Sequence, residues 1–193
     1  MDILDAIQKT GDKVKVYCQK GKVKVPNAHN RIISFIDDCV SEVLPTDAFG
    51  SFHPKVWVMR FVAKGQPTIY RFFILSRNLT FDRSWDLAFH MEGYVSEEEQ
   101  AKNQPLVDFV NYLRAKDDFD DSDSFVEDLL KVQFDFPESF DDVEFIPMGI
   151  PKYKNRLSMN FGRLLVVSPF VQANALKWIR KESTGKRFLF ARR

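Results

Sequence analysis

The stretch FGSFHPKVWVMRFVAKGQPTIYRFFILSRNLTFDRSWDLAFHMEG, residues 49–93, decides how this chain folds. Within it, residues 55–63 (KVWVMRFVA) and 69–75 (IYRFFIL) are apolar runs rich in β-branched and aromatic side chains. Lys64, Gly65, Gln66 and Pro67 separate them, so the two runs predict a strand pair joined by a turn. Residues 85–91 predict a further strand. His53 and Lys55 are two apart where the first strand begins, and side chains two apart on a strand leave the same face. Pro54 lies between them, at a strand start where the missing N–H is tolerated. Ser76 and Asn78 stand at the end of the second strand with matching parity. They face one pocket if the extended geometry continues that far.

Outward from this stretch, elements alternate. Residues 2–9 predict a short helix. Residues 13–18 (KVKVYC) and 22–25 (KVKV) alternate strictly and predict strands around Gly21. From Asn27 onward, Ile32, Ile33, Phe35, Ile36, Cys39, Val40 and Val43 recur at helical spacing up to Pro45. Residues 96–115 predict a helix opened by Ser96, with Glu97, Glu98 and Glu99 in its first turn and Pro105 kinking or splitting it. Residues 117–124 read as an acidic loop and 124–132 as a short helix. Residues 134–162 are irregular apart from a strand at 143–146. Strand 164–167, helix 171–181 and strand 187–191 form a β-α-β unit. The whole predicts an α/β protein.

The 193 residues suit one domain, or one and a fraction, and the hydrophobic content of 45% is that of a globular chain. The net charge of +1 is a cancellation. Residues 117–144 hold twelve acids and one base, whereas residues 152–193 hold eleven bases and one acid. Asymmetry of this kind marks a surface that meets a polyanion, or else a solvated acidic loop beside ordinary lysines. The two cysteines, Cys18 and Cys39, read as reduced thiols rather than a disulfide framework. The acidic, amphipathic N-terminus has no signal-peptide core, and no apolar run approaches the roughly 18 residues of a membrane span. A cytoplasmic protein without membrane association is the expectation. No His/Cys cluster has metal-ligand spacing, so neither metal nor cofactor is expected.

Chemistry concentrates at the ends of the first two strands. An imidazole attacks phosphorus near neutral pH because part of it is unprotonated. An ammonium and an amide hold the non-bridging oxygens and stabilise transition-state charge. His53, Lys55 and Asn78 supply these groups.

The arrangement resembles the phospholipase D superfamily, whose motif is His-x-Lys followed by a distal Ser-x-Asn. It is most similar to the tyrosyl-DNA phosphodiesterase-like and bacterial nuclease-like branch, with Phe49, Gly50, His53, Lys55, Ser76, Asn78, Leu79 and Trp85 in the matching places. Arg60 stands where many phospholipases carry an Asp, and Leu75 where a glycine usually precedes the Ser, which argues against lipid cleavage. The resemblance implies a mixed β-sheet covered by helices on both faces. It implies that His53 is nucleophile or general acid, that Lys55 and Asn78 bind phosphate, and that Ser76 supports the pocket. Asp86 and Glu92 follow on the next strand as candidate partners that orient His53. Arg60, Arg77, Lys152, Lys154 and Arg156 are the candidate contacts to nucleic acid.

The family's mechanism needs two such half-sites, one histidine attacking and another protonating the leaving oxygen. This chain has one His-x-Lys, because His29 and His90 are followed two residues on by Arg31 and Glu92. Residues 164–170 (LLVVSPF) resemble the strand that opens a second repeat. The expected organisation is therefore a first repeat over residues 1–157, with an acidic insertion at 117–144, and the beginning of a second at 158–193. The missing half-site comes from that second repeat or from a homodimer partner. The expected function is a nuclease or DNA-end-processing phosphodiesterase. The alternatives are a non-catalytic module for assembly or nucleic-acid binding, and a phospholipid or small-diester hydrolase.

Overall fold

A computed structural model describes residues 9, 13–23, 39–45, 50–77, 85–117, 124–150, 152–153, 161–168 and 170–192. It is a mixed α/β structure in two compact units, Met1–Ile150 and Pro151–Arg193. Asn78, Lys154, Arg156, His29 and the expected helix at 2–8 lie outside the described residues. Among the described residues no helix is long and apolar enough to cross a membrane.

The centre of the first unit is a four-stranded antiparallel sheet of β3 (Val56–Phe61), β4 (Ile69–Leu75), β5 (Ala88–Val95) and β6 (Val132–Asp135), in that order. Alternation along β4 sets its two faces. Tyr70 and Phe72 are buried, while Arg71 between them is exposed. The register places Val58 and Met91 beside Phe72, and Arg60 and Gly93 beside Tyr70, so all of these share the core face. Helices α1 (Gln104–Arg114) and α2 (Phe125–Leu130) cover that face through Leu106, Val107 and Leu129. The opposite face carries Trp57 and Phe61, each 44% exposed, and Tyr94 at 45%. The expectation of helices on both faces is therefore met on one face only among the described residues.

Polar contacts lock α2 to the sheet. The Tyr70 hydroxyl donates to the Phe125 carbonyl at 2.6 Å. Arg60 pairs with Asp128 at 2.6 Å and donates to Ser124 Oγ at 2.8 Å. Fully buried Asn103 donates through Nδ2 to the carbonyls of Leu129 at 3.2 Å and Val132 at 2.6 Å, joining the end of α2 to the start of β6. Asn103→Leu keeps the volume and removes the amide that bridges the two carbonyls, and is expected to lower stability by about 1–3 kcal/mol, read from the urea midpoint.

Several sequence expectations change. Val40–Val43 is not the end of a helix but strand β2, paired in parallel with β1 (Val16–Gln19). Val40 and Val43 are three apart, a spacing that suits a helix face and not the strand period of two, and pairing with β1 overrides it. Lys22 and Val23 follow the Gly21 turn without joining a strand. Residues 96–100 are not helical. A 3-10 turn at Ala101–Asn103 precedes α1, and Pro105 sits in the first turn of α1, where its missing N–H costs nothing. Residues 85–87 precede β5 instead of forming it, and β6 occupies part of the segment read as helix and loop. Val143 and Phe145 form no strand but pack against the core.

The second unit is a β-α-β unit, as its pattern predicts. Parallel strands β7 (Phe161–Val167) and β8 (Ser183–Phe190) are connected through α3 (Ala173–Lys181).

Candidate functional site

Antiparallel pairing brings the start of β3 to the end of β4. Leu75 N donates to the Lys55 carbonyl at 2.9 Å, extending the Val56–Ile74 register by one step. On the other side of His53, Phe52 N donates to Gln19 Oε1 at 3.1 Å, which ties the approach to β3 to the end of β1. His53 is thus held between two anchored backbone points. Its side chain is exposed, that of Lys55 half-buried, and among the described residues neither makes a hydrogen bond or ion pair.

β4 ends at Leu75, and Ser76 and Arg77 form a bend. The parity argument for Ser76 and Asn78 therefore fails at Ser76, because the extended geometry it needs has stopped. Ser76 instead closes the β4–β5 connection. Its N–H donates to the Leu87 carbonyl at 2.9 Å, and its hydroxyl accepts from Leu87 N at 2.8 Å. The same hydroxyl donates to Asp86 Oδ1 at 3.2 Å, and Asp86 Oδ2 pairs with Arg77 at 3.3 Å. Asp86 is thereby engaged with Ser76 and Arg77.

His53, Lys55, Arg77 and Asp86 all line one groove of about 2810 Å³ in the first unit. Glu92 does not join them. It pairs with Arg71 at 2.5 Å in the middle of the sheet, directly opposite it in the register. Arg71 is four positions from Leu75, which sits beside Lys55, so Glu92 is roughly 13 Å along the strand direction from that row. Its role as an orienting partner of His53 is set aside. Arg60 lines the groove but its charge is met by Asp128. Lys152, in the second unit, lies over the Tyr153 ring at 5.7 Å. His90 stacks against Phe73 within the sheet, with ring centroids 5.6 Å apart.

The groove also draws on residues the motif does not include. Lys13, Lys15, Tyr17 and Lys22 come from and around β1, and Arg114 from the end of α1. The alternating KVKV run was the available signal for the lysines; Arg114 had none, because its position depends on tertiary packing. Burial and the nearby Asp117 carboxylate push the Tyr17 phenol above its ordinary pKa, with Arg114 opposing. Burial and Glu42 likewise raise the Cys18 thiol, which disfavours the thiolate. Among the described residues no group of three or more His, Cys, Asp or Glu is placed to hold a metal ion.

Compared with known proteins, the chain matches no family model, no curated protein and no solved structure.

Proposed function

We propose that the chain carries one half-site of a phospholipase D-type phosphodiesterase, a metal-independent nuclease or DNA-end-processing enzyme. The supporting observation is that His53 and Lys55, both without protein partners among the described residues, line the same groove as the end of β4 and the start of β5. In this reading a neutral His53 nitrogen attacks phosphorus, the bond to the leaving oxygen breaks, and a second imidazole supplies the proton to that oxygen. Water then attacks phosphorus and gives a proton to the second imidazole, the P–N bond breaks, and His53 is regenerated. Lys55 offsets the charge that builds on the non-bridging oxygens. Asn78 is assigned the amide contact by the motif. Ser76 and Asp86 join the end of β4 to the approach to β5. The second imidazole is assigned to another copy of the chain or to a second repeat, and a phospholipase D-like fold goes with this reading.

The test is trapping of the covalent intermediate. Incubation in EDTA with an end-labelled oligonucleotide, at rising protein concentration, is expected to yield cleavage and a protein–oligonucleotide adduct. The adduct survives alkali and is lost in acid, as a phosphoramidate bond is. Cleavage only with a divalent cation, or no cleavage at any concentration, would sink the proposal.

A further inference from the structure

The groove reaches well beyond the half-site, and its shape and lining identify a ligand. Every residue of β1 and of β3 lines it. Successive residues of a strand point to opposite faces, so a groove touched by all of them runs along the strand's edge. β3 is the outer strand of its sheet, with its free edge opposite β4. Among the described residues no strand pairs with β3 on that side, so the groove is a channel along this edge of the sheet.

Its volume of about 2810 Å³ is several times the roughly 300–1,000 Å³ of small-molecule pockets, which favours a polymer over a headgroup or small diester. Its charge is one-sided. Among the described residues, seven lysines and arginines line it against one carboxylate, Asp86. Lys15, Arg60 and Arg77 pair with Asp117, Asp128 and Asp86. Lys13, Lys22 and Lys55 make no ion pair among the described residues. Ring faces are interspersed: Tyr17, Phe52, Trp57 and Tyr94 all border the groove. A duplex keeps its base faces stacked inside, whereas a single strand offers unstacked bases to aromatic rings.

We infer that this channel binds single-stranded nucleic acid and leads it to His53. Lys13 and Lys22 hold phosphates on the β1 side, and Trp57 stacks a base on the β3 side. The inference rests on the phosphodiesterase reading for its direction toward His53, but the binding itself is separable from turnover.

Fluorescence anisotropy of the full chain in EDTA tests it, with a labelled oligothymidylate of about twelve nucleotides as probe. A duplex of equal length, phosphatidylserine vesicles and polyglutamate are the competitors. The single strand is expected to bind best. The double variant Lys13→Gln/Lys22→Gln is expected to weaken it roughly tenfold and to flatten the slope of log affinity against log salt by about 1.4, or 0.7 per lost phosphate contact. Trp57→Ser is expected to weaken binding with the slope unchanged. Equal binding of the duplex, stronger competition by vesicles or polyglutamate, or unaltered affinity in the double variant would overturn the inference. If His53→Ala abolishes cleavage while the double variant binds normally, the channel fails and the catalytic reading stands. If the double variant loses binding while His53→Ala cleaves normally, the catalytic reading fails and the channel stands.

Discussion

Replacing His53 by alanine is expected to lower metal-independent phosphodiester cleavage by about 10⁴-fold or more, because loss of a nucleophile removes the covalent route entirely. The trapped adduct should vanish with it. Stability should not change: the imidazole is exposed and makes no hydrogen bond among the described residues, so alanine leaves neither a cavity nor an orphaned partner. Lys55→Met should behave differently. It keeps the stem and removes the charge, and is expected to cost about 10²- to 10³-fold in turnover while the adduct still forms slowly. Both variants should keep the urea midpoint of the parent. If His53→Ala retained the parent rate, the nucleophile would lie elsewhere. If Lys55→Met lost activity together with its urea midpoint, the lysine would be structural.

The part of this architecture that local pattern carries was readable in the sequence. β3 and β4 end within two residues of their expected bounds, because alternation, β-branched residues and the Gly65 turn all point the same way. The β7–α3–β8 unit was readable for the same reason. What was not readable depends on partners distant in the chain. Val40–Val43 has the i, i+3 spacing of a helix face, and pairing with β1, over twenty residues earlier, overrides it. β6 is four residues long and follows a helix without a glycine or proline break, so only its pairing with β5 reveals it. The half-site divides in the same way. The proximity of His53 and Lys55 to the β4–β5 connection follows from a hairpin the sequence announces. The placement of Glu92 does not, because its ion pair with Arg71 is a cross-strand contact fixed by register. Arg60 is a candidate nucleic-acid contact by sequence, but strand parity turns it to the core face, where Asp128 of α2 meets it.

Register also explains the second large effect. Gly93→Ala is expected to destabilise the first unit by about 3 kcal/mol or more, a large loss for the smallest side-chain addition. Gly93 lies on β5 on the core face, paired with Tyr70 on one side and Phe134 on the other. A β-carbon there would come within 2.4 Å of the Gln133 carbonyl oxygen, 2.7 Å of Val132 Cγ1 and 2.8 Å of Phe134 Cα. Two of those atoms are backbone of β6, and β6 has little room to retreat. Buried Asn103 grips the Val132 carbonyl, and Val132 and Phe134 are both part of the core. Gly65→Ala provides the contrast. Gly65 adopts φ +71 in the β3–β4 turn, and a β-carbon there meets nothing within 4 Å. That substitution is strained only in its backbone and is expected to cost about 1–2 kcal/mol. Urea titrations of the full chain, followed by far-ultraviolet circular dichroism, separate the two. A loss at Gly65 equal to or greater than that at Gly93 would mean that β6 can move off β5, and that the close approach at Gly93 is not what holds this edge of the sheet in register.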